Sequence, residues 1–239
     1  MKPYDNDKTK KEQIRDMFDR IAPTYDGLNR TMSLGLDGWW RRRTVRLVAE
    51  TSPRRILDVA AGTGDLSIAL ARRIKDAEVT GVDLSENMLE EARRKAAAAL
   101  PGRSVGFECG DAEHLSAADG SFDAVTVAFG VRNFGDIGAG LRELLRVLRS
   151  GGMLAVLELS VPRNAAVRTL YNLYARMLLP RIGAAVSDDA AAYRYLPASI
   201  EEFPQPERFA AMLHEAGFTG CRIRSLTFGT VHIYTAFKP

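Results

Sequence analysis

Cysteine is scarce in this chain of 239 residues: there are two, Cys109 and Cys221, far apart and with no histidine at ligand spacing. That scarcity argues against a disulfide framework and a zinc site, and makes a reducing cytoplasm the natural compartment. The three histidines, His114, His214 and His232, match no motif. Each is expected to be structural or solvent-facing, and no metal is expected. No run of about 18 apolar residues occurs, so nothing is expected to span a bilayer. Residues 1–20 are charged throughout and hold no apolar segment of a secretory signal. One sign of charge does not dominate either. The net charge of +3 falls short of the basic surplus expected of a nucleic-acid binder. Internal repeats and low-complexity tracts are absent.

What remains is an ordinary globular composition, 46% hydrophobic and 26% charged, enough for one domain with a large core. One basic cluster stands out, Arg41, Arg42 and Arg43 joined by Arg46. It reads as a solvated helix face or as a contact for anionic lipid headgroups.

Apolar spacing sets the organisation. Ile14, Met17, Phe18 and Ile21 recur as one helix face, ended by Pro23, and a second helix is expected over residues 37–51. From residue 55 the rhythm becomes strand, turn, helix. Strands are expected at 55–59, 78–83, 104–109, 122–129 and 153–159, with a helix after each of the first two and another along Leu141, Leu144, Leu145 and Leu148, stopped by Gly151 and Gly152. A helix at 206–216 and a strand pair at 221–226 and 230–237 close the chain. This pattern predicts an α/β fold with a doubly wound, mostly parallel seven-stranded sheet and an antiparallel C-terminal strand. A single domain then divides into an N-terminal helical lid (1–52), a cofactor-binding core (53–160), an insertion (161–204) and the closing helix and strands (205–239). Ligands of such sheets sit at the carboxyl ends of the strands, where the strand order switches.

Three elements at those strand ends carry chemistry. The first is the loop from Asp58 through Ala60, Gly62, Thr63 and Gly64, which follows a strand and opens a helix. Its glycines let backbone approach a ligand closely. It is neither a dinucleotide fingerprint nor a phosphate loop, since the lysine of the latter is missing. The second is Asp83 with Leu84, where a carboxylate can accept both ribose hydroxyls of an adenosine. The third is Asp111-Ala112, able to accept the adenine amine and to donate to a ring nitrogen. Ala128 ends the fourth strand beside them. Taken singly, these are a plain turn, a helix cap and an Asx-turn. Together they fit a nucleoside without a polyphosphate.

In these elements the chain resembles the class I S-adenosylmethionine methyltransferases, which usually carry Gly where Ala60 stands. A narrower resemblance spans nearly the whole chain. Residues 25–33 (Tyr-Asp-Gly-Leu-Asn-Arg-Thr-Met-Ser) with Trp40, residues 129–134, residues 146–160, and residues 193–204 around Tyr193 and Ser199 are similar to signatures of the ubiquinone/menaquinone biosynthesis C-methyltransferases. Departures are Asp37, where the family often has His, and Arg149-Ser150, where it often has Lys-Pro. Asp37 puts in doubt any mechanism with a histidine base there.

The resemblance implies S-adenosylmethionine as cofactor and a prenylated quinol as substrate, methylated at a ring carbon. Demethylmenaquinol is the first expectation and a benzoquinol of ubiquinone synthesis the alternative. A small-molecule O- or N-methyltransferase and a non-catalytic adenosylmethionine sensor stay open. A nucleic-acid methyltransferase would show a proline-aromatic motif or broad basic patches, and neither is present. Catalysis then needs in-line alignment and a cation that favours the phenolate. Arg132 is the candidate cation, Asn133 its orienting partner or a hydrogen-bond donor, and Tyr25 with Asp26 a lid or proton relay. The insertion, with an apolar face along Val167, Leu170, Tyr171, Tyr174, Met177 and Leu178, is the candidate prenyl groove and a peripheral contact with the inner face of the membrane. A homodimer is compatible with all of this.

Overall fold

The computed structural model describes residues 2–177 and 190–239. The first helix, α1 (Lys10–Ile21), begins at a capping box: Thr9 Oγ accepts the Glu12 N–H, and the Glu12 carboxylate accepts the Thr9 N–H. It buries Ile14, Met17 and Ile21. Pro23 ends it, but through only one 3-10 turn (Ala22–Thr24). Helix resumes at once as α2 (Tyr25–Met32), which apolar spacing did not announce. After a turn through Leu34 and Gly35, both at positive φ, α3 (Asp37–Ala49) buries Trp40, Val45 and Val48.

The alternating region gives β1 (Arg55–Val59), α4 (Asp65–Arg73), β2 (Glu78–Asp83), α5 (Glu86–Ala99), β3 (Gly106–Cys109), β4 (Phe122–Ala128), α6 (Ile137–Val147) and β5 (Leu148–Leu159). Ser85 and Asp136 cap α5 and α6 through hydroxyl and carboxylate oxygens. The expected stop of α6 at Gly151 and Gly152 is corrected. Leu148 turns extended directly after Val147, and both glycines lie inside β5, with Gly151 N–H donating to Lys238 C=O at 2.9 Å. The insertion folds as α7 (Ala165–Met177) and α8 (Ala190–Glu202), and Leu178 lies outside the described residues. Then come α9 (Pro206–Glu215), β6 (Thr219–Leu226) and β7 (Val231–Phe237).

The seven strands form one sheet in the order β3-β2-β1-β4-β5-β7-β6. Pairings from β3 through β5 are parallel, whereas β7 runs antiparallel to both β5 and β6. The doubly wound fold with an antiparallel C-terminal strand is therefore as expected. Helices on both faces bury the central strands β1, β4 and β5, which is why they read as mainly apolar runs. One core packs α6 and α9 on one face, through Leu141, Leu144, Phe209 and Leu213. The other packs α3 and α4 on the opposite face, through Trp40, Val48, Leu66 and Leu70. A third, smaller cluster seats Ile14, Met17 and Ile21 of α1 against Met88 and Tyr195. It holds the N-terminal helices over the carboxyl ends of the strands, at the switch between β1 and β4. Among the described residues, no helix is long and apolar enough to cross a membrane.

Candidate active site

The loop after β1 is built to bring backbone to a ligand. Ala60, Gly62 and Gly64 all have positive φ (55°, 55° and 79°). An L side chain is strained there, and Ala60 carries that strain with the smallest side chain that has a Cβ. Gly130, on the facing loop, approaches so closely that a Cβ on it would run into that of Ala60. Beneath the loop, Asp58 is buried and accepts the hydroxyls of Ser67 (2.5 Å) and Thr126 (2.7 Å). Burial pushes its pKa up to about 6. Thr63 turns its hydroxyl to Asp26 at 2.5 Å, and Gly64 packs on Ala92 and Phe107. These three expected cofactor residues, Asp58, Thr63 and Gly64, lie outside the cleft wall and shape the loop from behind.

The remaining seven line a cleft of about 740 Å³: Ala60, Gly62, Asp83, Leu84, Asp111, Ala112 and Ala128. Asp83 Oδ2 accepts Gly62 N–H at 2.7 Å and Oδ1 accepts Ser85 N–H at 2.9 Å, so its carboxylate faces the cleft in one fixed orientation. Burial raises its pKa. Burial acts most strongly on Asp111 and opposes its charge, but Lys11 Nζ at 2.5 Å, the Glu113 N–H and His114 together hold its carboxyl below the ordinary value. The roof, absent from the sequence-based expectation, comes from α1: Lys11, Ile14, Arg15 and Phe18. Their spacing of i, i+3, i+4 and i+7 is itself a helix face, but its charged members hid it among solvent positions. Two fixed carboxylates at successive strand ends, a loop that presents bare backbone and a partly apolar roof fit S-adenosylmethionine. Asp83 would take the ribose hydroxyls, Asp111 and Ala112 the adenine edge, and residues 60–62 the amino-acid part.

A second space adjoins this cleft. It is a groove of about 1470 Å³, walled by Trp40, Phe129, Tyr171, Tyr174 and Leu196, with Arg132 on its polar side. Tyr174 OH donates to Met32 C=O at 2.6 Å and Trp40 Nε1 donates to Thr227 Oγ at 2.8 Å, which tie α7 to α2 and α3 to the β6–β7 turn. Between cleft and groove lies a smaller chamber bounded by Phe18, Leu28, Asn29, Asn133 and Tyr195. Tyr25 borders all three spaces. The mouth of the groove carries Leu34, Leu36, Leu170 and Phe228, large apolar side chains left 77%, 39%, 68% and 84% exposed.

The polar residues at the junction differ in detail from expectation. Arg132 is not a lone cation: it is buried and its Nη1 donates to Glu158 Oε1 at 2.7 Å and to Phe129 C=O at 2.5 Å. Burial is the largest influence and opposes its charge, and the surrounding groups, Glu158 foremost, more than restore it. Asn133 does not brace Arg132; its Oδ1 accepts from Tyr195 OH at 3.0 Å. Asp26 is held away from the junction by Lys95 (2.5 Å) and Thr63. Asp37, also on the groove wall, accepts from Ser33 Oγ and forms an ion pair with Arg41; these outweigh its burial and keep the carboxyl ionised. Burial raises the pKa of Tyr25, and pushes Tyr171 and Tyr195 up to about 12, so all three are neutral hydrogen-bond donors near pH 7. Among the described residues, no group of His, Cys, Asp or Glu could hold a metal ion.

Comparison with known proteins agrees with this geometry. A demethylmenaquinone methyltransferase of Bacteroides fragilis is 42% identical over 238 residues, covering 100% of this chain and 97% of that one. One from Thermus thermophilus is 49% identical over 223 residues, covering 93% of this chain and all of its own. A ubiquinone/menaquinone biosynthesis C-methyltransferase of Geotalea daltonii is 41% identical, covering 96% and 97%. In fold, the crystal structure of the Synechocystis magnesium protoporphyrin IX methyltransferase with bound S-adenosylhomocysteine superposes with a TM-score of 0.65 at 20% identity, covering 96% of this chain and all of that one. With residues 6–238 matching it from the lid to the last strand, the chain belongs to the ubiE/COQ5 methyltransferase family.

Proposed function

We propose that this enzyme methylates a ring carbon of a prenylated quinol, demethylmenaquinol foremost, in menaquinone biosynthesis. The observation that carries this is the meeting of two spaces at Tyr25: an adenosylmethionine cleft, and a large groove lined mostly by apolar and aromatic side chains. A small phenol or amine would leave most of that groove without a ligand.

Bound in the cleft, S-adenosylmethionine supplies an electrophilic methyl group on a sulfonium centre. The chain supplies alignment and the control of one proton. Phe18, Leu28 and Tyr25 hold the ring in the chamber between cleft and groove and exclude water. Arg132 meets the oxygen that ionises, and Asn133, its Oδ1 taken by Tyr195, presents its amide N–H groups. The hydroxyl gives up its proton, the ring carbon takes the methyl group, and the electron pair of the broken S–C bond stays on sulfur. The ring proton then leaves and the oxygen regains one, so a turnover releases one proton. Neutral tyrosines and the absence of a histidine among the junction residues make Arg132 a stabiliser of the phenolate rather than an acceptor of its proton.

The exposed rim of Leu34, Leu36, Leu170 and Phe228 would bring the groove mouth to the inner face of the membrane, where a prenylated quinol resides. The test is transfer of label from labelled adenosylmethionine to two reduced acceptors, a demethylmenaquinol and a desmethyl benzoquinol. Label on the naphthoquinol ring carbon alone assigns the menaquinone pathway, and label on both a dual enzyme. Bound cofactor with label on neither overturns the quinol assignment.

A further inference from the structure

We infer that Glu158 is a positioning residue of the methyl transfer, acting through Arg132. The inference rests on the quinol reading above and assigns the group that sets the charge and place of the guanidinium.

Glu158 is fully buried at the carboxyl end of β5. Its Oε1 accepts from Arg132 Nη1 at 2.7 Å and from the Leu159 N–H at 2.9 Å, and its Oε2 from the Arg132 N–H at 3.4 Å. The same Nη1 grips the carbonyl of Phe129, a residue at φ 59° that borders both cleft and groove. One carboxylate thus fixes the guanidinium, the loop after β4 and the end of β5 together. Stability alone is a poor reason for it, because a buried ion pair at best matches well-packed apolar residues of the same volume. The Nε of Arg132 is buried without a hydrogen-bond partner, on a side chain that borders the chamber and the groove. A buried donor left unmet by protein calls for a partner, and its place beside the chamber and the groove points to one bound there.

The groups around the pair leave the charge to these two residues. Tyr25 from α2, Tyr171 from α7 and Tyr195 from α8 lie within reach of the charge of Arg132, and burial keeps all three neutral. His232 of β7, the register partner of Glu158, has its pKa lowered by burial and by Arg163, and Tyr234 of the same strand is raised. Glu202 of α8 lies farther along, beside Tyr195. An unpaired guanidinium would ionise the quinol hydroxyl most strongly. Glu158 gives up part of that field and in return fixes where the guanidinium sits.

Two substitutions separate the two effects. Glu158→Gln keeps an acceptor oxygen for Arg132 and removes the charge. The midpoint of the single-turnover rate against pH is expected to fall by about one unit. A nitronaphthol bound to the S-adenosylhomocysteine complex, followed by the absorbance of its anion, is expected to ionise at a correspondingly lower pH. Glu158→Asp keeps the charge and withdraws it by one methylene. The midpoint is expected to stay, kcat to fall roughly tenfold and the KM for adenosylmethionine to hold. If Glu158 is only a brace, both variants keep the wild-type midpoint and kcat and lose Tm alone, which overturns the inference. Should Glu158→Gln not fold, Glu158→Asp decides: an unchanged kcat overturns it. Wild-type protein that binds cofactor and methylates neither quinol overturns the reading beneath and this inference with it, a result distinct from transfer with unmoved profiles.

Discussion

Asp58 begins the glycine-loop motif, yet its carboxylate is spent on two hydroxyls behind the loop. Its pKa of about 6, against an ordinary 3.8, means that the folded chain holds this proton more tightly than the unfolded one. The group therefore favours folding below about pH 4, and that advantage is lost as pH rises through about 6. Against Asp58→Asn, the wild-type stability in urea titrations is expected to drop by up to about 3 kcal/mol between about pH 4 and pH 7. Motif position alone does not reveal this, because a strand-end aspartate reads the same whether it faces ligand or lies under the loop. The junction residues separate similarly. Arg132→Ala is expected to lower kcat roughly 100-fold and Tyr25→Phe about tenfold, with adenosylmethionine affinity by calorimetry nearly unchanged. Equal losses in binding would place both residues in the cofactor site instead. That Arg132 sits just past the fourth strand was legible. Its pairing with Glu158, across 26 positions, was not, since no local pattern links the ends of β4 and β5.

At the scale of elements, the central strands and the helices that cover them follow from apolar periodicity, because each buries a face in the core, whereas the edge strands β3 and β6 are mostly exposed. The structure departs from that pattern where burial is incomplete. The α2 helix has Leu28 as its one buried residue, so a segment with Gly27, Asn29 and Arg30 carried no stripe to read, and Pro23 looked like an end. The roof over the cleft was hidden for the same reason. It is fastened at both ends: Ser85 Oγ donates to Asp19 Oδ1 at 2.5 Å, linking α1 to the cap of α5, while Lys10 Nζ reaches Phe134 C=O at 2.8 Å and Lys11 Nζ reaches Asp111 and Glu113. Asp19→Ala is expected to loosen α1 by about 1 kcal/mol, seen as faster amide exchange over residues 10–21 and a several-fold higher KM for adenosylmethionine. Unchanged exchange there would mean that the apolar contacts of Ile14 and Met17, with the Lys10 and Lys11 bonds, hold the roof without Asp19.

At the scale of the molecule, the exposed apolar side chains are gathered, not scattered. Among the described residues, four of the six large ones rim one groove, and Leu34 and Phe228 are held in left-handed turns. The double variant Leu34→Glu, Phe228→Glu is expected to lower sedimentation with anionic vesicles by roughly 10- to 100-fold and to leave adenosylmethionine binding intact. Wild-type sedimentation of the variant would remove the rim from membrane contact.

Because Tyr25 stands where cleft and groove meet, each ligand has its own way in: one past the roof helix, the other past Leu34 and Phe228. Neither has to wait for the other. Initial rates measured against both substrates are therefore expected to give intersecting lines rather than parallel ones. S-adenosylhomocysteine is expected to compete with the methyl donor alone, and the methylated product to leave by the groove mouth while the next donor takes its seat.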